Sequence, residues 1–443
     1  MLIRNVPPLI VLCISAFVSH ADASQPNIVF IIADDLGWAD VAFHGGNAPT
    51  PNLDRLAGEG LELTQHYVAP VCSPTRVGFL TGRCWSRFGI TTPTNTLALP
   101  QETVTLANTL GACGYETCLI GKWHLGSKPE WGPNHFGFDH SYGSLAGGVT
   151  AYSHRYKQGP FSKTWHRNGE LLEEEGHVTD LLAGEAVDWI AARDDKPFFL
   201  YVPFTAVHLP INEPNAWLAR VPSAIESEIG RHYAACVMHL DDAVGRILQA
   251  IEEKGVREET IVVFTSDNGG STTTNNTQPY PKDASPPGNL TASNHPFRGQ
   301  KAAVYEGGTR VPTLVSWPGT IAVRRETSPV FVADWMPTFC HLAGYEPEVD
   351  LRWDGANLTA MLLTQATVPE RPIYIAGPRW RAVSLRIGKW KLVVSETDRY
   401  ELFDIASDPS ERLNLAKKEP ARLKSMLMAL EKARANDNDQ VVE

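Results

Sequence analysis

The sequence lacks an excess of basic residues. Its 443 residues include 39 Lys and Arg against 50 Asp and Glu, which gives a net charge of −11. Binding to nucleic acid or to an anionic membrane needs a basic surface, so neither is expected as the main partner. An anionic small molecule remains a candidate ligand if a local pocket is positive.

Internal repeats and compositional bias are also missing. Hydrophobic residues make up 43% of the chain and charged residues 20%, which excludes a disordered or fibrous protein. The length suits a large α/β enzyme with a small appended unit.

Long apolar runs are absent apart from one near the N-terminus. Arg4 precedes an apolar stretch at residues 9–18, and Ala-Asp-Ala follows at residues 21–23. This order is typical of a secretory signal peptide, and the stretch is too short to cross a bilayer. We expect residues 1–23 to be cleaved near Ala23 and the protein to be secreted or periplasmic, with no membrane span.

Cysteine is scarce. Of seven cysteines, Cys13 would leave with the signal peptide, and the other six would enter a compartment where disulfides are permitted. Cys113 and Cys118 are near enough in sequence to pair, but spacing alone does not prove a disulfide.

Two apolar runs end in acidic or amide side chains. Residues 27–33 are followed by Asp34 and Asp35, and residues 260–266 are followed by an aspartate and an asparagine. Continuous apolar runs of this length are typical of strands buried on both faces of an α/β sheet. Ligands gather at the carboxyl ends of such strands, so the two polar clusters are expected to converge.

Other segments alternate between strand and helix patterns, which favours a layered α/β domain. The predicted strands are residues 197–204 and 312–317, and the predicted helices are residues 52–59, 103–113, 179–193 and 239–254. A polar stretch without periodicity covers residues 271–297. It is too long for a plain connection, so we expect a functional loop.

The pattern changes near residue 369. Short alternating segments precede a helix-like segment, at residues 373–376, 381–385, 389–394 and 419–433. They predict a small antiparallel sheet with one helix. We therefore expect a catalytic domain over residues 24–368 and a C-terminal subdomain over residues 369–443.

Residues 72–76 read Cys-Ser-Pro-Thr-Arg. Pro74 suits the first turn of a helix, where its missing N–H costs nothing. Cys72 would then lie at the helix N-terminus, where free N–H groups and the helix dipole attract anions. Arg76 would follow about one turn later on the same face. Taken alone, the motif also fits a buried cysteine beside a helix start.

The motif Cys-x-Pro-x-Arg, with Thr-Gly-Arg at residues 81–83, resembles the signature of the formylglycine-dependent (type I) sulfatases of the alkaline-phosphatase superfamily. Further segments resemble blocks of this family in the family's order, at residues 27–37, 50–56, 121–126, 207–208, 266–269, 298–301, 306–312, 402–404 and 408–414. The resemblance covers almost the whole mature chain. It implies an α/β fold with a large mixed sheet flanked by helices and a small C-terminal antiparallel sheet. Within the family, the segments at residues 43–45, around Cys72 and at residues 152–154 are most similar to the N-acetylgalactosamine-4-sulfatase branch.

The resemblance implies a metal site and a modified nucleophile. Asp34, Asp35, Asp267 and Asn268 would bind one divalent cation, and their oxygen-only donors favour Ca²⁺. In this family a maturation enzyme oxidises the motif cysteine to formylglycine during export. Cys72 would be that cysteine, and its hydrated aldehyde would be the nucleophile.

Five further residues are implied to act on the sulfate ester. Lys122 and Lys301 would hold sulfate oxygens, and Lys301 with His208 would protonate the departing alkoxide. His124 would take a proton from the remaining hydroxyl, so that sulfate leaves and the aldehyde returns. Arg76 would orient the hydrate. The expected substrates are sulfated carbohydrates or aryl sulfates.

Two other functions fit the same superfamily. One is a phosphatase or phosphonate-ester hydrolase, but the metal-dependent phosphodiester and phosphonate relatives tend to have histidine where this chain has Asn268. The other is an inactive glycan-binding relative, which the complete set of expected catalytic positions argues against.

Overall fold

The computed structural model describes residues 25–277, 279–281 and 283–439. The predicted signal peptide at residues 1–23 lies outside the described residues. Within the described ranges, no helix combines the length and the apolar character that crossing a membrane requires.

The described residues form seventeen strands and ten α-helices. The strands are β1 Asn27–Ala33, β2 Leu61–Leu63, β3 His66–Tyr67, β4 Glu116–Lys122, β5 His140–Ser144, β6 Trp165–Arg167, β7 Glu170–Leu171, β8 Phe198–Pro203, β9 Thr260–Ser266, β10 Arg310–Val311, β11 Leu314–Ser316, β12 Arg324–Glu326, β13 Val330–Phe331, β14 Ile373–Ala376, β15 Ala382–Ile387, β16 Trp390–Ser395 and β17 Tyr400–Asp404. The helices are α1 Pro51–Gly58, α2 Cys72–Thr81, α3 Leu106–Ala112, α4 Val178–Ala191, α5 Asn215–Leu218, α6 Glu228–Glu253, α7 Glu306–Thr309, α8 Trp335–Leu342, α9 Thr359–Thr364 and α10 Pro420–Arg434.

The largest sheet has ten strands in the order β12-β2-β11-β9-β1-β8-β4-β5-β6-β7. Its central strands β9, β1, β8, β4 and β5 are parallel, whereas β11 and β6 pair antiparallel with their neighbours. The sheet is therefore mixed, which confirms the predicted fold class. The carboxyl ends of the parallel strands share one edge, where ligand sites form in such sheets.

Strand β1 shows why the predicted runs are continuously apolar. Ile28, Phe30 and Ile32 belong to a hydrophobic cluster that includes residues of α2, α3 and α8. Val29 and Ile31 belong to a second cluster that includes residues of α4 and α6. Helices thus cover both faces of the sheet, so both faces of the strand must be apolar. The bounds of β1 and β9 match the two predicted runs residue for residue.

A second sheet contains β14 to β17 in sequence order, all antiparallel. This confirms the predicted small antiparallel sheet. Strand β17 was not among the predicted segments, because its three central residues are all buried and its sequence does not alternate. The apolar side chains of the second sheet belong to the same hydrophobic cluster as those of α2 and α8. The domain boundary after residue 368 stays a prediction.

Buried polar contacts fix the second sheet to the rest of the fold. Lys391 Nζ on β16 lies 2.8 Å from a carboxylate oxygen of Glu306 and 2.9 Å from one of Glu411. The indole N–H of Trp85 donates to the backbone oxygen of Ala376 at 2.9 Å. The C-terminal sheet is therefore joined directly to α7 and to the turn that follows α2.

Helix α6 begins at Glu228 rather than at the predicted residue 239. The Ser227 hydroxyl caps this start by accepting the N–H of Gly230 at 3.3 Å. The first turns contain small and polar residues, so the sequence shows no helical periodicity of apolar residues there, although Tyr233 and Ala234 are buried. The start of this helix therefore cannot be located from the pattern of apolar residues in the sequence.

The six cysteines within the described residues are all free thiols. Cys118 lies on β4 and packs into the cluster with α4 and α6, whereas Cys113 packs against the cluster on the other face of the sheet. The two side chains lie on opposite faces, so the disulfide that their spacing allows does not form.

His239 on α6 lies between two carboxylates. Its Nδ1 is 2.8 Å from Glu213 and its Nε2 is 3.2 Å from Asp180. Burial acts to lower the pKa of His239, but the two carboxylates outweigh burial and raise this pKa to about 9. The unfolded value is about 6.5. The ion pairs therefore add their full stability below that pH, and this stability is lost as the pH rises through about 9.

We expect His239→Gln to lower the Tm by about 2–4 °C at acidic to neutral pH and by much less at alkaline pH. Thermal unfolding across this pH range measures the difference from the unsubstituted protein. His341→Gln, at an exposed position on α8, is the control. A Tm deficit that stays constant or grows with pH would contradict the assignment.

Candidate active site

Three of the central parallel strands, β9, β1 and β4, end at the edge where the predicted clusters converge. Asp34 and Asp35 follow β1, Lys122 is the last residue of β4, and Asp267 and Asn268 follow β9. Strand β1 lies between β9 and β8, and β4 lies beside β8. This order brings residues from distant parts of the chain into one buried group.

The four predicted metal ligands contact one another. Asn268 Nδ2 donates to Asp35 Oδ1 at 2.7 Å, and the backbone N–H of Asp35 donates to Asp267 Oδ1 at 3.2 Å. Asp34 Oδ1 and Asn268 Oδ1 are buried and have no hydrogen-bond partner. Buried oxygens without a partner are costly, and a cation would satisfy both. The oxygen-only donor set therefore fits a hard divalent cation.

Each buried carboxylate of this group is paired with one basic side chain. The pairs are Asp34 with Lys122 at 2.5 Å, Asp35 with Lys301 at 2.6 Å and Asp267 with Arg76 at 3.0 Å. Burial and the neighbouring charge of Asp267 raise the pKa of Asp34. Burial acts in the same direction at Asp35, but Lys301 and His208 outweigh it and lower the pKa of Asp35. Opposite pKa shifts in adjacent carboxyl groups are typical of functional sites.

Cys72 is the first residue of helix α2, as the motif predicts. Its Sγ and one oxygen each of Asp34 and Asp267 lie within 4.8 Å of one another. The side chain is 1% exposed. Burial raises the pKa of the Cys72 thiol, although Lys122 and Lys301 act in the opposite direction. Cys72 is therefore a neutral thiol at a helix N-terminus, beside the candidate metal ligands.

Ser73 and Thr75, which lie between Cys72 and Arg76, also form hydrogen bonds to the backbone of the site. Their role is not predicted from the sequence. The Ser73 hydroxyl donates to the backbone oxygen of His124 at 2.8 Å, and the Thr75 hydroxyl donates to that of Asp267 at 2.6 Å. The one sequence feature that indicates these bonds is the presence of two hydroxyl groups in a helical turn that is expected to be buried, where each hydroxyl needs a hydrogen-bond partner.

The two predicted histidines lie beside the basic side chains. His124 follows β4 in left-handed backbone, with φ 58°, and its Nδ1 has no hydrogen-bond partner. His208 Nε2 lies 3.8 Å from Asp35 Oδ2, and its Nδ1 contacts the backbone oxygen of Leu209 at 2.5 Å. Burial and the nearby cations lower the pKa of both histidines well below the ordinary value. Both rings are therefore neutral at pH 7, and each can accept a proton.

Gly147 sets the position of the His124 ring. A Cβ atom on Gly147 would lie 2.3 Å from His124 Nε2, far inside the contact distance of two non-bonded atoms. Any side chain at this position would therefore displace the imidazole.

A family model described as Sulfatase matches residues 26–345 of the chain. Arylsulfatase J of Mus musculus is 30% identical over 93% of this chain and 76% of its own length. N-acetylgalactosamine-6-sulfatase of Rattus norvegicus is 35% identical over 84% of this chain and 72% of its own length.

The solved structure of Ps i-CgsB is similar over 94% of both chains, with a TM-score of 0.85 and 31% identity. The same protein has been crystallised in complex with k-i-k-neocarrahexaose. The likeness thus extends over nearly the whole fold.

The role of Gly147 gives a direct prediction. We expect Gly147→Ala to slow hydrolysis of 4-nitrophenyl sulfate about 100-fold, because a misplacement of about 1 Å in a catalytic group costs that much. The matched control is Gly58→Ala at the end of α1, where nothing lies within 4 Å of the new Cβ atom. Steady-state rates of the two variants measure the effect, and equal rates would show that the His124 position is not critical.

Proposed function

The chain belongs to the sulfatase family and is a sulfuric ester hydrolase, and on this premise we propose that it hydrolyses sulfate monoesters of carbohydrates through a nucleophile made from Cys72. The observation that carries the proposal is the position of Cys72 Sγ, within 4.8 Å of carboxylate oxygens of Asp34 and Asp267. Two lysines and one arginine lie at the same edge. An anionic ester would therefore meet positive charge beside the nucleophile.

We assign one divalent cation, Ca²⁺, to Asp34, Asp35, Asp267 and Asn268. The support is the oxygen-only donor set and the two buried oxygens that lack partners. The bound cation would polarise the ester oxygens and lower the pKa of a hydroxyl beside it. The cation would also provide a partner for Asp34 Oδ1 and Asn268 Oδ1, which the three ion pairs leave unsatisfied.

Cys72 would act after oxidation to formylglycine. A neutral thiol is a weak nucleophile because the thiolate is the reactive form, and sulfur is a poor ligand for a hard cation. A hydrated aldehyde offers two hydroxyls instead. One would attack sulfur, and the other would re-form the aldehyde when sulfate leaves. Arg76, one turn along α2, would orient the hydrate.

Lys122 and Lys301 would hold the sulfate oxygens. Burial acts to lower the pKa of each lysine, but the neighbouring carboxylates outweigh it and raise both pKa values, so both ammonium groups stay charged. Lys301 and His208 approach the same carboxylate, that of Asp35. They would together supply the proton for the departing alkoxide. His208 is neutral before substrate binds, and an anionic ester beside it would raise its pKa.

His124 would take the proton from the second hydroxyl of residue 72. Its neutral ring and unpartnered Nδ1 suit a general base. Gly147 on one side and the Ser73 bond to its backbone oxygen on the other would hold it in place.

Carbohydrate esters are proposed because similar proteins are named after, or were crystallised with, carbohydrates. The rat relative is named for N-acetylgalactosamine 6-sulfate, and Ps i-CgsB was crystallised with k-i-k-neocarrahexaose. The sequence resemblance leans instead towards the 4-sulfate of N-acetylgalactosamine. The 4-sulfate and the 6-sulfate of this sugar are therefore the first two substrates to compare.

Export is part of the proposal. The signal peptide at residues 1–23 would direct the chain to a secreted or periplasmic location, and a maturation enzyme would oxidise Cys72 on the way. The catalytic domain would span residues 24–368 and the C-terminal subdomain residues 369–443.

A phosphatase or phosphonate-ester hydrolase fits this site less well. Asn268 stands where the metal-dependent phosphodiester and phosphonate relatives tend to have histidine, and its amide donates to Asp35. An inactive binding protein also fits less well, because the complete set of proposed catalytic side chains is assembled at one edge of the sheet.

The direct test combines mass spectrometry of the peptide that contains Cys72 with release of sulfate from 4-nitrophenyl sulfate. Protein from a host with the maturation enzyme is expected to carry an aldehyde in place of the thiol. Cys72→Ala is expected to lower the rate by about 10⁴-fold or more. Cys113→Ala, which removes a half-buried thiol outside the site, is the control. An unmodified thiol in fully active protein would contradict the proposal.

Removal of the cation gives a second prediction. Chelation with EGTA is expected to abolish activity and lower the Tm, and Ca²⁺ is expected to restore both, since a ligand at about 100 times its Kd stabilises the folded state by about 2.7 kcal/mol. Asn268→Leu should lose the Tm response to Ca²⁺, whereas Asn357→Ala, at an exposed position, should keep it. Activity that survives exhaustive chelation would contradict the metal assignment.

A further inference from the structure

The loop at residues 271–297 brings one tyrosine to the active site. The Tyr280 hydroxyl is buried and has no hydrogen-bond partner. A buried hydroxyl without a partner costs free energy that a phenylalanine at the same position would avoid. The fold therefore gains nothing from this oxygen in the absence of a ligand.

Residues 156–158 hold Tyr280 and the residue before it in place. The backbone oxygen of Pro279 accepts the N–H of Gln158 at 2.9 Å. The ring of Tyr156 meets the Tyr280 ring edge-on at 5.7 Å, and Lys157 Nζ lies 5.6 Å from the Tyr280 ring centroid. The ring is thus positioned from residues 156–158, whereas the hydroxyl is left free.

The hydroxyl lies near His208, the residue proposed to help protonate the departing alkoxide. A Cβ atom on Gly148 would lie 3.0 Å from the Tyr280 hydroxyl and 3.2 Å from His208 Nδ1. The two side chains therefore approach one point from different segments of the chain. With any larger residue at position 148, one or both of these side chains would have to shift by a few tenths of an ångström. Burial first, and then the ionised forms of Tyr156, Asp34 and Cys72, raise the pKa of Tyr280.

Two buried ammonium groups, those of Lys122 and Lys301, are already proposed to bind the sulfate oxygens. Tyr280 comes instead from a surface loop and reaches the site beside His208, the proposed proton donor to the leaving oxygen. A neutral hydroxyl that can both donate and accept suits a sugar, which presents hydroxyl groups of the same kind.

We propose that Tyr280 is a specificity-determining residue whose hydroxyl hydrogen-bonds the sugar portion of the substrate next to the ester oxygen that departs. This inference rests on the proposed function, because it assigns the alcohol part of the same ester. It adds a residue from outside the segments that resemble the family, on the loop at residues 271–297 that is predicted to be functional.

The test compares two classes of substrate with Tyr280→Phe. N-acetylgalactosamine 4-sulfate and 6-sulfate represent sugars, and 4-nitrophenyl sulfate represents an ester whose alcohol has no hydroxyl to bind. We expect kcat/KM for the sugar that the unsubstituted protein prefers to fall about tenfold, the usual cost of one lost hydrogen bond. For 4-nitrophenyl sulfate we expect a change of less than about twofold, and the Tm should be unchanged or slightly higher.

Tyr400→Phe removes a hydroxyl from a tyrosine that is 37% exposed on the second sheet, and it is the matched control. An equal fall of kcat/KM on both substrate classes would overturn the inference, because Tyr280 would then act on the reacting group or on the fold. Unchanged kinetics on both classes would overturn it as well. If the unsubstituted protein hydrolyses 4-nitrophenyl sulfate but neither sugar, sulfated N-acetylgalactosamine is not its substrate, and the inference fails for this sugar. If it hydrolyses neither class, the proposed function fails, independently of Tyr280.

Discussion

Three carboxylates buried at one edge of a sheet are the constraint on which the rest of this site depends. Asp34, Asp35 and Asp267 are at most 2% exposed, so water does not screen their mutual repulsion, and burial of an uncompensated charge costs several kcal/mol. Each carboxylate is paired with one lysine or arginine from a different segment. The same basic groups that make the burial tolerable are those proposed to bind an anionic ester. Stability of the site and recognition of sulfate therefore use the same charges.

The fold holds these charges in place through elements far apart in the sequence. The segment that carries Lys301 is tied to the segment before the nucleophile by a bond from the Ala302 N–H to the backbone oxygen of Pro70 at 2.7 Å. A few residues after Lys301, Glu306 forms a buried ion pair with Lys391 of the second sheet. The C-terminal sheet is thus linked by a buried ion pair to the segment that follows Lys301.

The elements that could be predicted best from the sequence are the strands that are buried on both faces. The two central strands and the polar residues after them could be predicted because both faces of each strand are covered, so nothing interrupts the apolar run. The start of α6 and the strand Tyr400–Asp404 could not, since their burial depends on partners distant in the chain. The residues of the motif could be placed at a helix start, but the bonds made by Ser73 and Thr75 depend on where β4 and β9 end. Tyr280 carries no local pattern at all, and only the folded loop reveals its position.

The central claim is that an oxygen on residue 72 attacks the sulfur of the ester. Cys72→Ser tests it most directly, because a serine offers one hydroxyl for attack and no second hydroxyl to expel sulfate. Incubation with 4-nitrophenyl sulfate is predicted to release about one equivalent of nitrophenol, and the peptide containing residue 72 should gain the mass of one SO₃ group. Continued turnover, or nitrophenol release that leaves residue 72 unmodified, would contradict the account.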